Sequence, residues 1–192
     1  MRYLLILITM LFISAQAFSQ NANELKVYYG IADSELLRKE SLDGAAGYDN
    51  DNTYEFGIKY LNKLTKHFGI ETGINYLHSR VEITPAFTGT PVNSHFENLN
   101  LLSVPILANY SFGKYFFVNG GPLIDFQLSD ASFDSQSGIG YSLGIGGKYH
   151  FDRFLIFLNP NFKRHAIIPF TKEDYQQKLT EWNLQLGIGY TF

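Results

Sequence analysis

The sequence predicts an all-β chain: an eight-stranded antiparallel up-and-down transmembrane β-barrel, preceded by a cleavable signal peptide. Three observations predict it. Eight segments alternate apolar and polar residues, the connections between them alternate long and short, and aromatic residues collect at the ends of the apolar rows. Alternation puts one set of side chains on each face of a strand. Rings at both ends with aliphatics between them suit a face in lipid, where amphipathic rings sit at the interfaces.

The closing segment is the clearest. In Glu181 to Phe192, the residues Trp182, Leu184, Leu186, Ile188, Tyr190 and Phe192 share one parity. Glu181, Asn183, Gln185, Gly187, Gly189 and Thr191 share the other. The first set is expected to face lipid and the second the lumen.

The other seven segments follow in order. Leu25 to Ile31 turns Leu25, Val27, Tyr29 and Ile31 outward and Lys26, Tyr28 and Gly30 inward. Tyr54 to Tyr60 places Glu55, Gly57 and Lys59 inside, and Phe68 to Tyr76 places Gly69, Glu71, Gly73 and Asn75 inside. Leu99 to Phe112 has Leu102, Val104, Ile106, Ala108 and Tyr110 as its outer set. Phe116 to Leu128 carries Asn119, Asp125 and Gln127 on one inner parity. Ile139 to Phe151 turns Ser142, Lys148, His150 and its even-numbered glycines inward. Phe154 to Phe162 turns Phe154, Ile156, Leu158 and Phe162 outward, with Asn159, Asn161 and Lys163 inward.

The long connections are Ala32 to Thr53, Leu77 to Asn98, Ser129 to Gly138 and Ala166 to Lys178; the short ones are Leu61 to His67, Gly113-Lys114 and Asp152-Arg153. Strict alternation of loop length puts all short turns at one end of a meander, as in outer-membrane barrels. Lipid offers no partner to backbone polar groups, so the sheet must close. Pro105, Pro122 and Pro160 fall inside strands. A closed barrel has no edge to place them on, so bulges that shift the local facing are expected there.

Residues 1–19 read as a signal peptide: Arg2, an apolar run from Tyr3 to Ile13, then small residues around the cleavage site. Cleavage after Ser19 is expected, with Ala17 as the rival. Residues 20–192 then form one barrel domain. There is no cysteine, so neither disulfides nor lipidation at the cleavage site contributes. Without Arg2, 14 of the 15 basic residues face 18 acidic ones. That balance offers nucleic acid no basic surface.

The stretch Leu101 to Leu128, L-L-S-V-P-I-L-A-N-Y-S-F-G-K-Y-F-F-V-N-G-G-P-L-I-D-F-Q-L, resembles the PorT-like outer-membrane β-barrel family. There an apolar-Pro strand, a tight turn and a Gly-Pro strand follow one another. The terminal G-I-G-Y-T-F resembles its closing strand. The resemblance implies a cell outer membrane location and implies no catalytic residues. Val-Pro stands here where an acidic-apolar-Pro triplet is more usual, so no role is carried over.

Eight charges fall on inner parities: Lys26, Glu55, Lys59, Glu71, Asp125, Lys148, Lys163 and Glu181. Eight-stranded barrels have room inside for side chains only, and buried charges need partners. A salt-bridged plug is the expectation, with a proton or ion path as its functional rival. The histidines, His67, His78, His95, His150 and His165, show no metal spacing. His78-Ser79 with Glu82 suggests a lipid-trimming hydrolase, but adjacent residues point to opposite faces. Asp49-Asn50-Asp51-Asn52 offers hard oxygens for calcium without the glycine and spaced glutamate of a calcium loop. Arg80 and Arg164 could meet lipopolysaccharide phosphates or be ordinary rim charges.

The expected function is structural or surface-interacting, through the long loops on a side-chain-filled barrel that is not an enzyme. A narrow channel for small hydrophobic molecules is the first alternative and a lipid-modifying enzyme the second. No cofactor or metal is expected. The partners expected are outer-membrane lipid and lipopolysaccharide, the barrel assembly machinery, and a protein or glycan at the loops. The first loop carries Asp33, Glu35, Glu40, Asp43, Asp49 and Asp51 against Arg38 and Lys39; the second carries Phe87, His95 and Phe96.

Overall fold

The computed structural model describes residues 23–37, 47–85, 93–130, 134–171 and 176–192. The signal-peptide segment therefore lies outside the described residues, as do Arg38, Lys39, Glu40, Asp43 and Phe87. Eight strands form: β1 (Glu24–Leu37), β2 (Gly47–Lys63), β3 (Phe68–Thr84), β4 (His95–Phe112), β5 (Phe116–Gln127), β6 (Gly138–Phe151), β7 (Phe154–Pro169) and β8 (Lys178–Thr191). They pair antiparallel in sequence order, and β8 returns to β1 to close the barrel.

Facing follows the alternation. Outward apolar residues are widely exposed, Trp182 to 67%, Leu186 to 64% and Ile188 to 60%. An apolar surface this continuous around a barrel belongs in hydrocarbon rather than water. Two girdles of rings flank it. Toward the long loops, Tyr141 packs on Phe162 and Phe162 on Trp182, at centroid separations of 6.1 and 4.9 Å. Toward the short turns, Phe112 stacks on Phe116, Tyr115 on Tyr149 and Phe151 on Phe154.

Two expectations are corrected. First, the strands run well into the segments read as long loops. Ala32–Leu37 continues β1, Gly47–Thr53 opens β2, Leu77–Thr84 continues β3, and His95–Asn98 opens β4. A 17-residue strand such as β2 rises about 40 Å at the usual tilt, against a hydrocarbon core of about 30 Å. The wall therefore continues past the membrane at the long-loop end. Second, the prolines do not shift the register. The paired ladder is interrupted opposite Pro105 on the β3 side, Pro122 on the β4 side and Pro160 on the β6 side, and each time it resumes in the same register. The real shifts lie elsewhere, between Asp51 and Tyr54 and between Ile139 and Tyr141. Each sits beside a non-glycine residue with positive φ, Asn52 at 52° and Ala166 at 45°. A proline costs one ladder bond, whereas a bulge needs an extra residue, and none is inserted at the prolines.

Candidate functional site: the filled lumen

All eight charged residues named from the inner parity point into the barrel, each at most 7% exposed. They share the lumen with Asn75, Asn109, Asn119, Asn159, Asn161, Asn183 and Gln185, all buried. Glycines opposite the inward rings make this filling possible. A Cβ on Gly146 would lie 2.4 Å from Cζ of Phe117, and one on Gly187 would lie 2.5 Å from Cε1 of Phe157. Tyr28, Phe117, Leu155 and Phe157 form an apolar cluster inside the short-turn half, and Lys26 and Lys59 lie over its rings.

From the short-turn mouth the polar groups form one connected chain. Glu24 Oε1 receives Lys63 Nζ and Lys148 Nζ, each at 2.8 Å, and His150 Nε2 lies 3.4 Å away. Lys26 faces the same carboxylate at 3.8 Å and ion-pairs with Glu71. Lys59 reaches Glu71 at 3.6 Å and donates to Gln185 Oε1 at 2.7 Å. Gln185 Nε2 donates to Glu55 Oε1 at 2.9 Å, and Tyr28 donates its hydroxyl to the same carboxylate. Lys163 bridges Glu55 and Glu181, the latter at 2.6 Å. His165 then sits between Glu181 and Asp125, 3.7 and 3.0 Å from their oxygens, and Ser103 donates to Asp125 at 2.6 Å.

The chain stops there. Beyond it Leu36, Leu77, Val81, Ile83, Leu99, Leu101 and Leu179 pack as one buried cluster, beside a hydrogen-bonded set of inward polar side chains, Ser34, Asn50, Thr53 and Ser79. Above the membrane the two faces exchange character. Asp33, Glu35, Arg80 and Asn98 point outward, while aliphatics point in. Water surrounds this part of the wall, so its core must be internal.

At this end the described part of the β5–β6 connection is tied to the start of β8. Gln136 is fully buried; its amide nitrogen donates to the Gln177 carbonyl at 3.0 Å, and its side-chain oxygen accepts from the Leu179 N–H at 2.7 Å. Its backbone N–H donates to Gln127 Oε1 at 2.8 Å. Asp134 adds a bond to the Gln177 N–H at 2.6 Å.

The lumen charges are segregated along the axis. Near the short turns, Lys26, Lys59, Lys63 and Lys148 face only Glu24 and Glu71. Deeper in, Glu55, Glu181 and Asp125 face Lys163 and His165. Glu24, Lys63 and His165 were absent from the sequence-derived set. Each falls on the inner parity of its strand, Glu24 just before its segment and Lys63 and His165 a little past the ends of theirs, so the signal was present.

The other sequence candidates separate. His78 points outward, its Nδ1 2.7 Å from Asn100 Oδ1, while Ser79 points inward to Thr53 at 2.7 Å and Asn50 at 3.0 Å. Glu82 accepts from Ser94. The three do not converge. Asn50 points inward while Asp49 and Asp51 point outward and are exposed. Among the described residues no acidic or histidine cluster could hold a metal ion. The Arg80 guanidinium carbon lies over the Phe96 ring, 3.9 Å from its centroid.

Comparison with known proteins agrees with this architecture. Residues 4–192 match the family described as outer membrane protein beta-barrel domain. The outer membrane protein OprG of Pseudomonas aeruginosa aligns with a TM-score of 0.59 at 12% identity, covering 89% of this chain and 95% of that one. The attachment invasion locus protein Ail of Yersinia pestis aligns at 0.49 and 16% identity, covering 89% and 98%. No curated protein matches the sequence significantly.

Proposed function

Starting from a chain that belongs to the outer membrane protein β-barrel family and resides in the cell outer membrane, we propose that it is a sealed scaffold, acting through what it displays beyond the lipid rather than through what it passes. One observation carries this reading. The charged chain from Glu24 to Asp125 ends at the buried aliphatic cluster, and Gln136 is buried at that end, bonded to Gln177 and Leu179. An ion entering from the short turns would meet aliphatic side chains and hydroxyl and amide groups already bonded to one another, with no charged group to replace its hydration.

The proposal extends to the finer identity and to partners. The Leu101–Leu128 motif supports a PorT-like barrel. Residues 1–19 act as its cleaved export signal, and the barrel assembly machinery inserts it. It is not an enzyme: its buried titratable groups pair with one another, and His78 and Ser79 face opposite sides of the wall. Surface binding falls to the projecting wall and loops. Asp33, Glu35, Asp49 and Asp51 present an acidic outer face suited to cationic groups on a protein or glycan. Arg80 and Arg164, both on the outer parity at this end, are the proposed contacts for lipopolysaccharide phosphates.

The channel alternative draws on crevices in the outer wall: one of about 730 Å³ is lined by Val27, Phe56, Ile58, Tyr60, Ile74 and Tyr76, and another of about 470 Å³ by Ile31, Ala32, Asp33, Pro160, Trp182 and Leu184. The floor of the smaller is an unbroken ladder, Ala32 to Asn183 and Asn183 to Asn161, and under the larger the buried Tyr28, Glu55 and Lys59 fill the lumen, which supports surface dents rather than a lateral door. Planar-bilayer recording tests the sealed reading. No steady current steps are expected from the reconstituted protein, and reproducible steps that vanish when the protein is heat-denatured would refute it.

A further inference from the structure

The end of the barrel that carries the short turns is cationic. The β2–β3 turn holds Lys66 and His67, the β4–β5 turn Lys114, and the β6–β7 turn Arg153 beside Asp152. All are exposed. Lys63 and Lys148 add positive charge at the mouth just inside, around Glu24. The opposite end is acidic, with Asp33, Glu35, Asp49, Asp51, Asp130 and Asp134 among its described residues.

The depth of these cations is fixed by the girdle beside them. Tyr110, Phe112, Phe116, Tyr149, Phe154 and Tyr190 form the ring of side chains next to the short turns. Such rings settle at the headgroup boundary. Turns this short leave Lys66, Lys114 and Arg153 immediately below it, at the level of lipid phosphate. Arg153 is also aimed: its Nη1 donates to the Tyr190 hydroxyl at 3.3 Å, which holds the guanidinium against the girdle. The three cations sit on three separate turns spread round the barrel.

We propose that this rim is a docking collar for anionic phospholipids of the periplasmic leaflet, with Lys66, Lys114 and Arg153 as its phosphate ligands. The inference rests on the membrane-spanning reading and adds a lipid class and a leaflet to it. Attraction of a basic residue to an anionic surface is enough for a selectivity on the order of fivefold per boundary site. It weakens as salt rises.

The test uses the full-length protein folded into vesicles of phosphatidylcholine, with spin-labelled phosphatidylglycerol or spin-labelled phosphatidylcholine as probe. The motionally restricted fraction should favour phosphatidylglycerol about fivefold at low salt. The triple variant Lys66→Gln, Lys114→Gln, Arg153→Gln should lose that preference. The double variant Arg80→Gln, Arg164→Gln at the other end should keep it. All five positions lie outside the lumen, so folding should survive, and the heat-dependent gel shift verifies it. A preference that survives the triple variant, or is lost in the double, overturns the collar. So does equal selection of the two lipids by the native chain. A barrel that fails to restrict either probe would instead refute the membrane-spanning reading itself.

Discussion

Replacing Lys163 with methionine tests whether the lumen is dry and filled. Its ammonium bridges Glu55 and Glu181, and all three side chains are at most 4% exposed. The Glu181 contact is 2.6 Å, worth about 6 kcal/mol in gross Coulomb energy at an effective dielectric constant of ~20. Much of that is offset by desolvation in the native protein. Removing the cation leaves two buried carboxylates facing each other without the charge they share, and breaking a buried pair this way costs about 3–5 kcal/mol. Lys163→Met should therefore lower the unfolding free energy in urea, measured in lipid vesicles by the folded and unfolded gel bands, by about that amount. Adding Glu181→Gln should recover a substantial part of the loss, because one of the two stranded charges is gone. A single variant within about 1 kcal/mol of the native protein, with no recovery in the double, would refute the reasoning. Water would then be solvating these groups, and a lumen wet at this depth is not a plug.

The remaining expectations concern the wall, the Gln136 contacts and the loops. Leu186→Arg puts a charge near the lipid midplane and should cost about 2–4 kcal/mol, whereas Leu128→Arg at the loop-end rim should cost about 0–1 kcal/mol; equal costs in vesicle unfolding would mean that the apolar wall does not face lipid. Gln136→Ala leaves the Leu179 N–H without its acceptor and should destabilise by about 1–3 kcal/mol, with faster hydrogen exchange at Leu179 and Gln177; unchanged exchange would mean that the β5–β6 connection is not tied to β8. Replacing residues 38–46 or 86–92 with a short turn should leave assembly intact, judged by the heat-dependent gel shift, while abolishing any surface-binding activity that resides there. Full retention of such activity in both deletions would place function elsewhere on the molecule.

The facing of every strand was legible because a half-buried strand can hide its parity nowhere. One alternation from Glu181 to Phe192 settles which residues meet lipid. Strand length was less legible, for a physical reason. Below the lipid boundary the outer parity is apolar, as at Tyr29 and Ile31. Above it the outer parity turns polar at Asp33 and Glu35, and the inner parity turns apolar at Leu36. The strand continues while its pattern inverts, and an inverting pattern reads as a loop. Leu77, Val81 and Ile83 on β3 and Leu99 on β4 show the same inversion. The pairing inside the lumen was legible only as a list of charges. That Lys163 bridges two glutamates, or that Glu24 gathers Lys63 and Lys148, depends on the stagger between strands far apart in sequence, and no local spacing encodes it. The Gln136 contacts were invisible for a related reason: Gln136 and Gln177 are unremarkable polar loop residues until the fold sets them side by side.

The seam between β1 and β8 has a consequence for how the molecule is made. Its ladder runs unbroken from Glu24 with Thr191 to Leu37 with Lys178, joining segments that most of the sequence separates. Each hairpin can zip locally, but this seam has to wait for a large-loop closure, which is entropically the most expensive step and the slowest. Until then two long strand edges are open at once, each a template for any strand that offers itself. The interval before closure is when the barrel is most exposed to mispairing. It is also when a helper that lends a strand edge can pair with β1 or β8, and the last act of assembly is then an exchange of that borrowed edge for the native one.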